Sequence, residues 1–281
     1  MPEEAVRVLA AWLAVAPALV IAAAGVFIRV GAMMALLPGL GETAVPMRVR
    51  LGLTVAITAL TLPAVAPAVV PPLTAALDRG EHLALTMAGL VTAEAAAGLL
   101  IGLAFRMTIF ALQIAGTVAS QNISLSHLFG NPATPEPEPS MASLLALGGT
   151  AIALIAGLHI EVVAAIVRLY GILPFAGWPP PGEAAAWTTA RVGETFALGV
   201  GLAMPFVIVG FAYNVVLGAL SRAMPQLLLT LVGVPLLVGL GLGTLWFSIP
   251  EIYARWGEAL VRVLVDPLGG LGDPPPPVAL P

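Results

Sequence analysis

Five charged residues, Arg29, Glu94, Arg106, Glu161 and Arg168, lie inside or near the ends of stretches that are otherwise apolar. A charge near the centre of a bilayer is costly and as a rule faces protein or water. Arg29 is the clearest case, with no other charge between Arg7 and Glu42. Two kinds of chemistry fit such residues. One is an ion or proton path. The other is pairing, in which opposite charges hold helices in register, with Glu94 or Glu161 as partners for Arg29 or Arg106. The near balance of acids and bases favours pairing, because a proton relay more often shows lone acids.

Other reactive types are sparse. His159-Ile160-Glu161 offers two metal ligands at poor spacing with no third nearby, so no metal site and no cofactor is expected. His82 and His127 stand alone in polar connections. There is no cysteine, which removes thiolate metal sites, disulfides and thiol nucleophiles together. The zinc-protease, nucleophile-elbow, phosphate-loop and dinucleotide patterns are all missing. Nothing points to an enzyme, and nucleotide energy would have to come from a partner.

A third set of polar residues sits where an apolar block ends. Gln113, Gly116, Gln121 and Asn122 fall on the later turns of the block at 83–120. Amides there suit a water-filled or protein interior better than lipid. Phe129-Gly130-Asn131-Pro132 follows, then Pro135, Pro137 and Pro139 alternating with Glu136 and Glu138. Prolines stop a helix from continuing. The segment reads either as an exposed loop or as irregular backbone lining or blocking an aqueous passage, tolerated at membrane depth where protein or water surrounds it.

The elements that must position these residues are apolar helices. The chain of 281 residues is 59% hydrophobic and only 9% charged, against roughly 25% charged in soluble domains. The expected fold class is all-α, a polytopic membrane protein of kinked helical hairpins. Apolar blocks run over about 9–37, 51–70, 83–120, 141–170, 195–220 and 227–249, and about 20 apolar residues suffice to cross a bilayer. The third block reads as one long bent helix or as two, so the number of true spans stays open. Leu9–Leu37 is too long for a signal peptide and follows Glu3 and Glu4 rather than a basic region, so it is expected to be retained. Prolines within or beside the blocks predict kinks, and pairs such as Gly98 and Gly102 predict close helix packing. The basic residues are all arginine. Arg48 and Arg50 argue for a cytoplasmic first connection, and Arg222 more weakly for a cytoplasmic tip between the last two blocks.

That tip, Ser221-Arg222-Ala223-Met224-Pro225-Gln226, separates two charge-free runs, Thr195–Leu220 and Leu227–Ile249. So short a joint predicts an antiparallel hairpin whose one fixed charge is Arg222, with Met224, Pro225 and Gln226 shaping the turn as a subunit-contact or docking point.

Several local patterns then resemble one family. They are Phe27-Ile28-Arg29, Leu37-Pro38-Gly39, Val45-Pro46-Met47-Arg48-Val49-Arg50, Gly98 and Gly102 leading to Gln113 and Gly116, and Gly157-Leu158-His159 followed by Leu173-Pro174. Arg222 through Gln226, with Gly233-Val234-Pro235 after it, is the most distinctive. In order and spacing, over roughly residues 10–260, the chain resembles the FliR family of flagellar biosynthetic proteins, related to the SpaR and YscT injectisome proteins. The resemblance implies a non-enzymatic subunit of the type III export gate in the bacterial inner membrane, at the flagellar basal body. It implies a helical, pore-forming assembly with FliP-type and FliQ-type subunits, contacts to FlhB-type and FlhA-type proteins, and unfolded flagellar proteins as cargo, with no nucleic acid.

Residues 1–194 would then correspond to a P-like region, with a pore plug at about 124–140. Residues 195–265 would form a Q-like hairpin, and 266–281 a flexible Pro/Gly-rich tail. Gln113, Gln121, Asn122, Phe129, Gly130, Asn131 and Pro132 would line or plug the pore. The family's usual Asp-Pro appears here as Asn131-Pro132, and the Pro-Glu run is atypical. The competing reading is a secondary transporter or permease with broken helices and a midplane charge site. Such proteins usually show symmetry between halves, which this sequence lacks.

Overall fold

The computed structural model describes residues 2–42, 45–78, 83–123, 140–223 and 234–271. Among these, all regular structure is helical: α1 (Pro2–Leu36), α2 (Met47–Asp78), α3 (Leu83–Ile123), α4 (Ser140–Ile155), α5 (Leu158–Leu169), α6 (Pro181–Ala223) and α7 (Val234–Val265). Five are long and apolar enough to cross a membrane, and the bent pair α4–α5 makes a sixth if it counts as one span. The protein is a polytopic helical membrane protein. With α4–α5 counted, α2, α3, the bent pair and α6 lie between the Arg48–Arg50 and Arg222 regions. That is an even count, the parity that arginine asymmetry asks for if both regions are cytoplasmic.

The helices differ from the apolar blocks in ways that have physical causes. The third block is one helix, not two. The block at 141–170 is broken instead into α4 and α5, and Gly157 between them has φ 90, a left-handed conformation that glycine adopts at little cost. The helix that holds the block at 195–220 starts earlier than the block, because α6 begins at Pro181. Proline is favoured at the first helical position, where its missing N–H would have no partner and its φ is already helical. Ser221, Arg222 and Ala223 belong to α6 rather than to a turn. The described part of this helix ends at Ala223. At the other end α7 runs past Ile249, through Pro250, to Val265. Glu251, Arg255, Glu258 and Arg262 lie three or four positions apart, so they share one face while Ile252, Trp256, Leu260, Val263 and Leu264 are buried.

Two compact units divide the chain: residues 1–106, 157–188 and 263–281, and residues 107–156 with 189–262. Each is assembled from separated stretches, whereas the division at 194 is one of sequence order.

In the first unit α1 packs on α2 and α2 on α5. Threonines inside α2 return their hydroxyls to their own helix, Thr54 to the Arg50 carbonyl at 2.9 Å and Thr58 to the Thr54 carbonyl at 2.7 Å. This removes the penalty of an unpaired polar group in an apolar setting. The α1–α2 connection is tied by Arg50, which donates to the carbonyls of Leu40 at 3.2 Å and Glu42 at 2.8 Å. The region at 266–271, expected to begin a flexible tail, is docked. Leu268 is buried, the Gly269 carbonyl accepts from the Trp187 indole at 3.2 Å, and Arg168 donates to the Leu264 carbonyl at 3.1 Å.

The second unit is built on glycine contacts. A Cβ on Gly116 of α3 would strike the backbone of Ala142 in α4, and one on Gly199 of α6 would come within 2.8 Å of the Ala111 carbonyl. Trp256 is fully buried and donates to the Thr108 carbonyl at 2.8 Å. Its ring lies 3.4 Å from where a Gly149 Cβ would stand. Tyr253, edge-on to Trp256 with ring centroids 6.3 Å apart, fills the notch at Gly148 and donates to the Leu145 carbonyl at 3.3 Å.

Candidate functional site

The most constructed polar site lies in the first unit, at Arg29. Glu94 stands one turn before Gly98 on α3. A Cβ on Gly98 would meet the Arg29 carbonyl, and one on Gly102 would lie 2.8 Å from the Met33 carbonyl and 2.9 Å from the Leu36 Cβ. The two glycines therefore let the backbones of α1 and α3 touch, and this brings the two charged side chains together. Both are fully buried. Arg29 Nε donates to Glu94 Oε2 at 2.7 Å and Nη2 to Oε1 at 3.1 Å, a two-pronged fork that fixes both planes.

The rest of the site comes from α5 and the connection after it. Arg29 Nη1 donates to the Leu173 carbonyl at 2.9 Å, and Nη2 reaches the Pro174 carbonyl at 3.4 Å. The guanidinium lies 3.8 Å from the centroid of the Tyr170 ring, within reach of the ring's negative face. Glu94 accepts two more bonds, from the Tyr170 hydroxyl at 3.2 Å and the Ala176 N–H at 2.8 Å. Burial pushes the Tyr170 phenol well above its ordinary value, which keeps it protonated and able to donate.

The connection itself is a tight turn, with Gly177 N–H on the Pro174 carbonyl at 2.9 Å. Ala176 has φ 59, a left-handed conformation that costs a residue with a Cβ about 1 kcal/mol or more and that turns usually give to glycine. Phe175 stacks on Tyr170 with centroids 6.5 Å apart, and its ring occupies space that a Gly25 Cβ would enter at 2.5 Å.

Chemically the site is closed. Among the described residues no buried side-chain nitrogen or oxygen lacks a partner. Arg29 and Glu94 direct their hydrogen-bonding capacity at each other and at the turn, the behaviour of a structural pair rather than of a relay.

The other candidate charges are elsewhere. Arg106, a candidate partner of Glu94 or Glu161 by sequence, lies 3.8 Å from Glu42 instead. Because α3 is continuous, twelve residues place it about 18 Å along the helix from Glu94. Glu161 faces Arg168 of its own helix at 3.8 Å, both about half exposed. His159 is exposed, and among the described residues no group of three or more metal-ligating side chains occurs. Tyr170 and Ala176 carry no sequence signal: a phenol at a helix end and a backbone N–H follow no spacing rule.

Gln113, Gln121 and Asn122 belong to α3 in the second unit. Gln113 lines an apolar groove of about 470 Å³ with Phe110, Thr117 and Phe196 among its walls. Asn122 donates to the Val118 carbonyl at 2.8 Å, and Gln121 is exposed. Phe129, Gly130, Asn131, Pro132, Met224, Pro225 and Gln226 lie outside the described residues, as does the side chain of Arg222.

These features define a class: a helical membrane protein in which a fully buried ion pair serves packing. Comparison with known proteins gives the family. Residues 20–263 match the model for "Bacterial export proteins, family 1". The chain is 34% identical over 245 residues to the flagellar biosynthetic protein FliR of Caulobacter vibrioides, covering 87% of this chain and 94% of that one. It is 27% identical over 226 residues to FliR of Escherichia coli, covering 80% and 83%. The chain belongs to this bacterial export family, among the FliR proteins, and is a membrane component of the flagellar export apparatus.

Proposed function

We propose that the protein is a non-enzymatic core subunit of the flagellar type III export gate in the bacterial inner membrane. In this reading it joins FliP-type and FliQ-type subunits around a pore for unfolded flagellar proteins, and touches FlhB-type and FlhA-type components. The segment at about 124–140 acts as a plug, with Gln113, Gln121 and Asn122 on the pore side. The end of α6 near Arg222 and the residues after it face the cytoplasmic side.

Beyond family membership, the observation that carries this reading is the bareness of α6 and α7. Only 28% and 17% of their apolar windows are buried within the chain, against 56% for α3. Phe211, Trp246 and Phe247 are among their widely exposed large side chains. Exposed apolar surface on this scale suits contact with other helices or lipid, and neighbouring subunits would supply the former. A permease reading would need a free midplane charge, and Arg29 and Glu94 are paired with each other in full burial.

The test is to express the protein with FliP-type and FliQ-type subunits, isolate the complex, and delete residues 124–135. Co-purification with raised permeability to small ions in the deletion is the expected result. An assembled gate with unchanged permeability argues against the plug, and failure to co-purify argues against the assembly.

A further inference from the structure

We propose that Arg29, Glu94 and Tyr170 are positioning residues that form a directional clamp. The clamp fixes the turn Leu173–Gly177, and so the course of the chain into α6, through the polarity of the ion pair and not merely through its neutrality.

The argument rests on which groups surround each charge. Around the Arg29 guanidinium the turn supplies acceptors, the carbonyls of Leu173 and Pro174. Around the Glu94 carboxylate it supplies a donor, the Ala176 N–H, and α5 supplies another, the Tyr170 hydroxyl. A backbone turn presents its carbonyls and N–H groups in fixed places, so this one docks in a single orientation relative to a positive charge on α1 and a negative charge on α3. Exchanging the charges would keep the pair neutral. It would also set a carboxylate against two carbonyl oxygens and a guanidinium against an N–H.

The strained turn fits a held segment. Ala176 keeps φ 59 while its N–H is bound to Glu94 and the neighbouring Phe175 ring is seated between Tyr170 and Gly25. Nothing in the clamp requires export, so the proposal stands apart from the gate reading and can fail separately from it.

The absence of cysteine makes a direct test possible. Leu173 is buried, with 3% exposure, so a single thiol introduced as Leu173→Cys reports release of the turn by its rate of maleimide labelling in isolated membranes. Four further changes are added to that background. Glu94→Gln should accelerate labelling on the order of tenfold, because it leaves a buried guanidinium without its counter-charge. The exchange Arg29→Glu with Glu94→Arg should accelerate it comparably. Tyr170→Phe, which removes one neutral donor, should accelerate it about threefold. Ala176→Gly, which keeps the N–H and relaxes the backbone, should leave it unchanged.

Slow labelling in the charge exchange, with parent amounts of protein in the membrane, would overturn the directional claim. Slow labelling in Glu94→Gln would overturn the clamp. If Glu94→Gln does not accumulate, Tyr170→Phe takes its place, since it leaves the ion pair intact: faster labelling supports the clamp and parent-like labelling overturns it.

Discussion

The first unit joins its helices with a buried ion pair, and the second with aromatic rings set against glycines. At Arg29 and Glu94 the polar contacts are hydrogen bonds with a donor and an acceptor assigned, beside the Tyr170 ring face on the guanidinium, so the arrangement has a sense. At Gly148 and Gly149 the contacts are mostly dispersion, with Tyr253 and Trp256 each adding one hydrogen bond to a carbonyl. Within lipid the chain gains little from hiding apolar surface, and close packing with satisfied hydrogen bonds must do the joining. The two solutions therefore fail differently. Loss of one member of the charged site strands the other, whereas loss from the aromatic site forfeits contact in proportion to the atoms removed.

Unfolding of the detergent-solubilised protein can break this contrast at its strongest point first. Glu94→Ala should destabilise by about 3–5 kcal/mol, because the buried guanidinium keeps its desolvation penalty without its partner. The double change Arg29→Gln with Glu94→Gln should recover part of that loss, and no recovery would mean that charge is not the dominant quantity. Trp256→Ala should come next, at about 3 kcal/mol from the cavity left in the second unit. Trp256→Phe should lie well below it if the loss is graded. Gly98→Ala should cost roughly 1–3 kcal/mol through overpacking, since the new methyl meets the Arg29 backbone, which cannot yield. Gly149→Ala should cost less, because its nearest neighbour is the flexible end of Leu112. The smallest effect is expected at Arg255→Ala, whose partner Glu251 is equally exposed; a surface pair of this kind should give no measurable change.

What the sequence disclosed follows the same division. Arg29 and Glu94 stood out because a charge in an apolar stretch is conspicuous, and the all-helical membrane class followed from composition. The partners contributed by the backbone, at Leu173, Pro174 and Ala176, could not be seen, since every residue carries a carbonyl and almost every residue an N–H. Leu173-Pro174 did enter as part of the family pattern, and its carbonyls prove to be ligands of Arg29. Trp256 is hidden for another reason. Charge-free runs mark only part of a helix, and α7 continues beyond Ile249 as an amphipathic helix with Glu251 and Arg255 on its outer face. The same criterion began the sixth helix too late, at Thr195 rather than Pro181. Gly157 is part of a family motif, but one glycine among many carries no mark that it will take a left-handed conformation and break a helix.

The continuity of α3 has a consequence for the membrane around it. Its apolar stretch, Met87–Asn122, is 36 residues long, which at 1.5 Å per residue is about 54 Å of helix. The hydrocarbon layer is only about 30 Å thick. To stay wholly inside it a straight helix would have to lean roughly 55° from the normal, outside the 0–40° range in which spanning helices are found. At smaller tilts a length of some 15–25 Å of greasy helix stands clear of the lipid tails. The chain's own helices cover part of that length, since 56% of the stretch is buried, and water will not tolerate the remainder bare, so the thickness of the bilayer itself becomes a reason for this helix to be covered by protein.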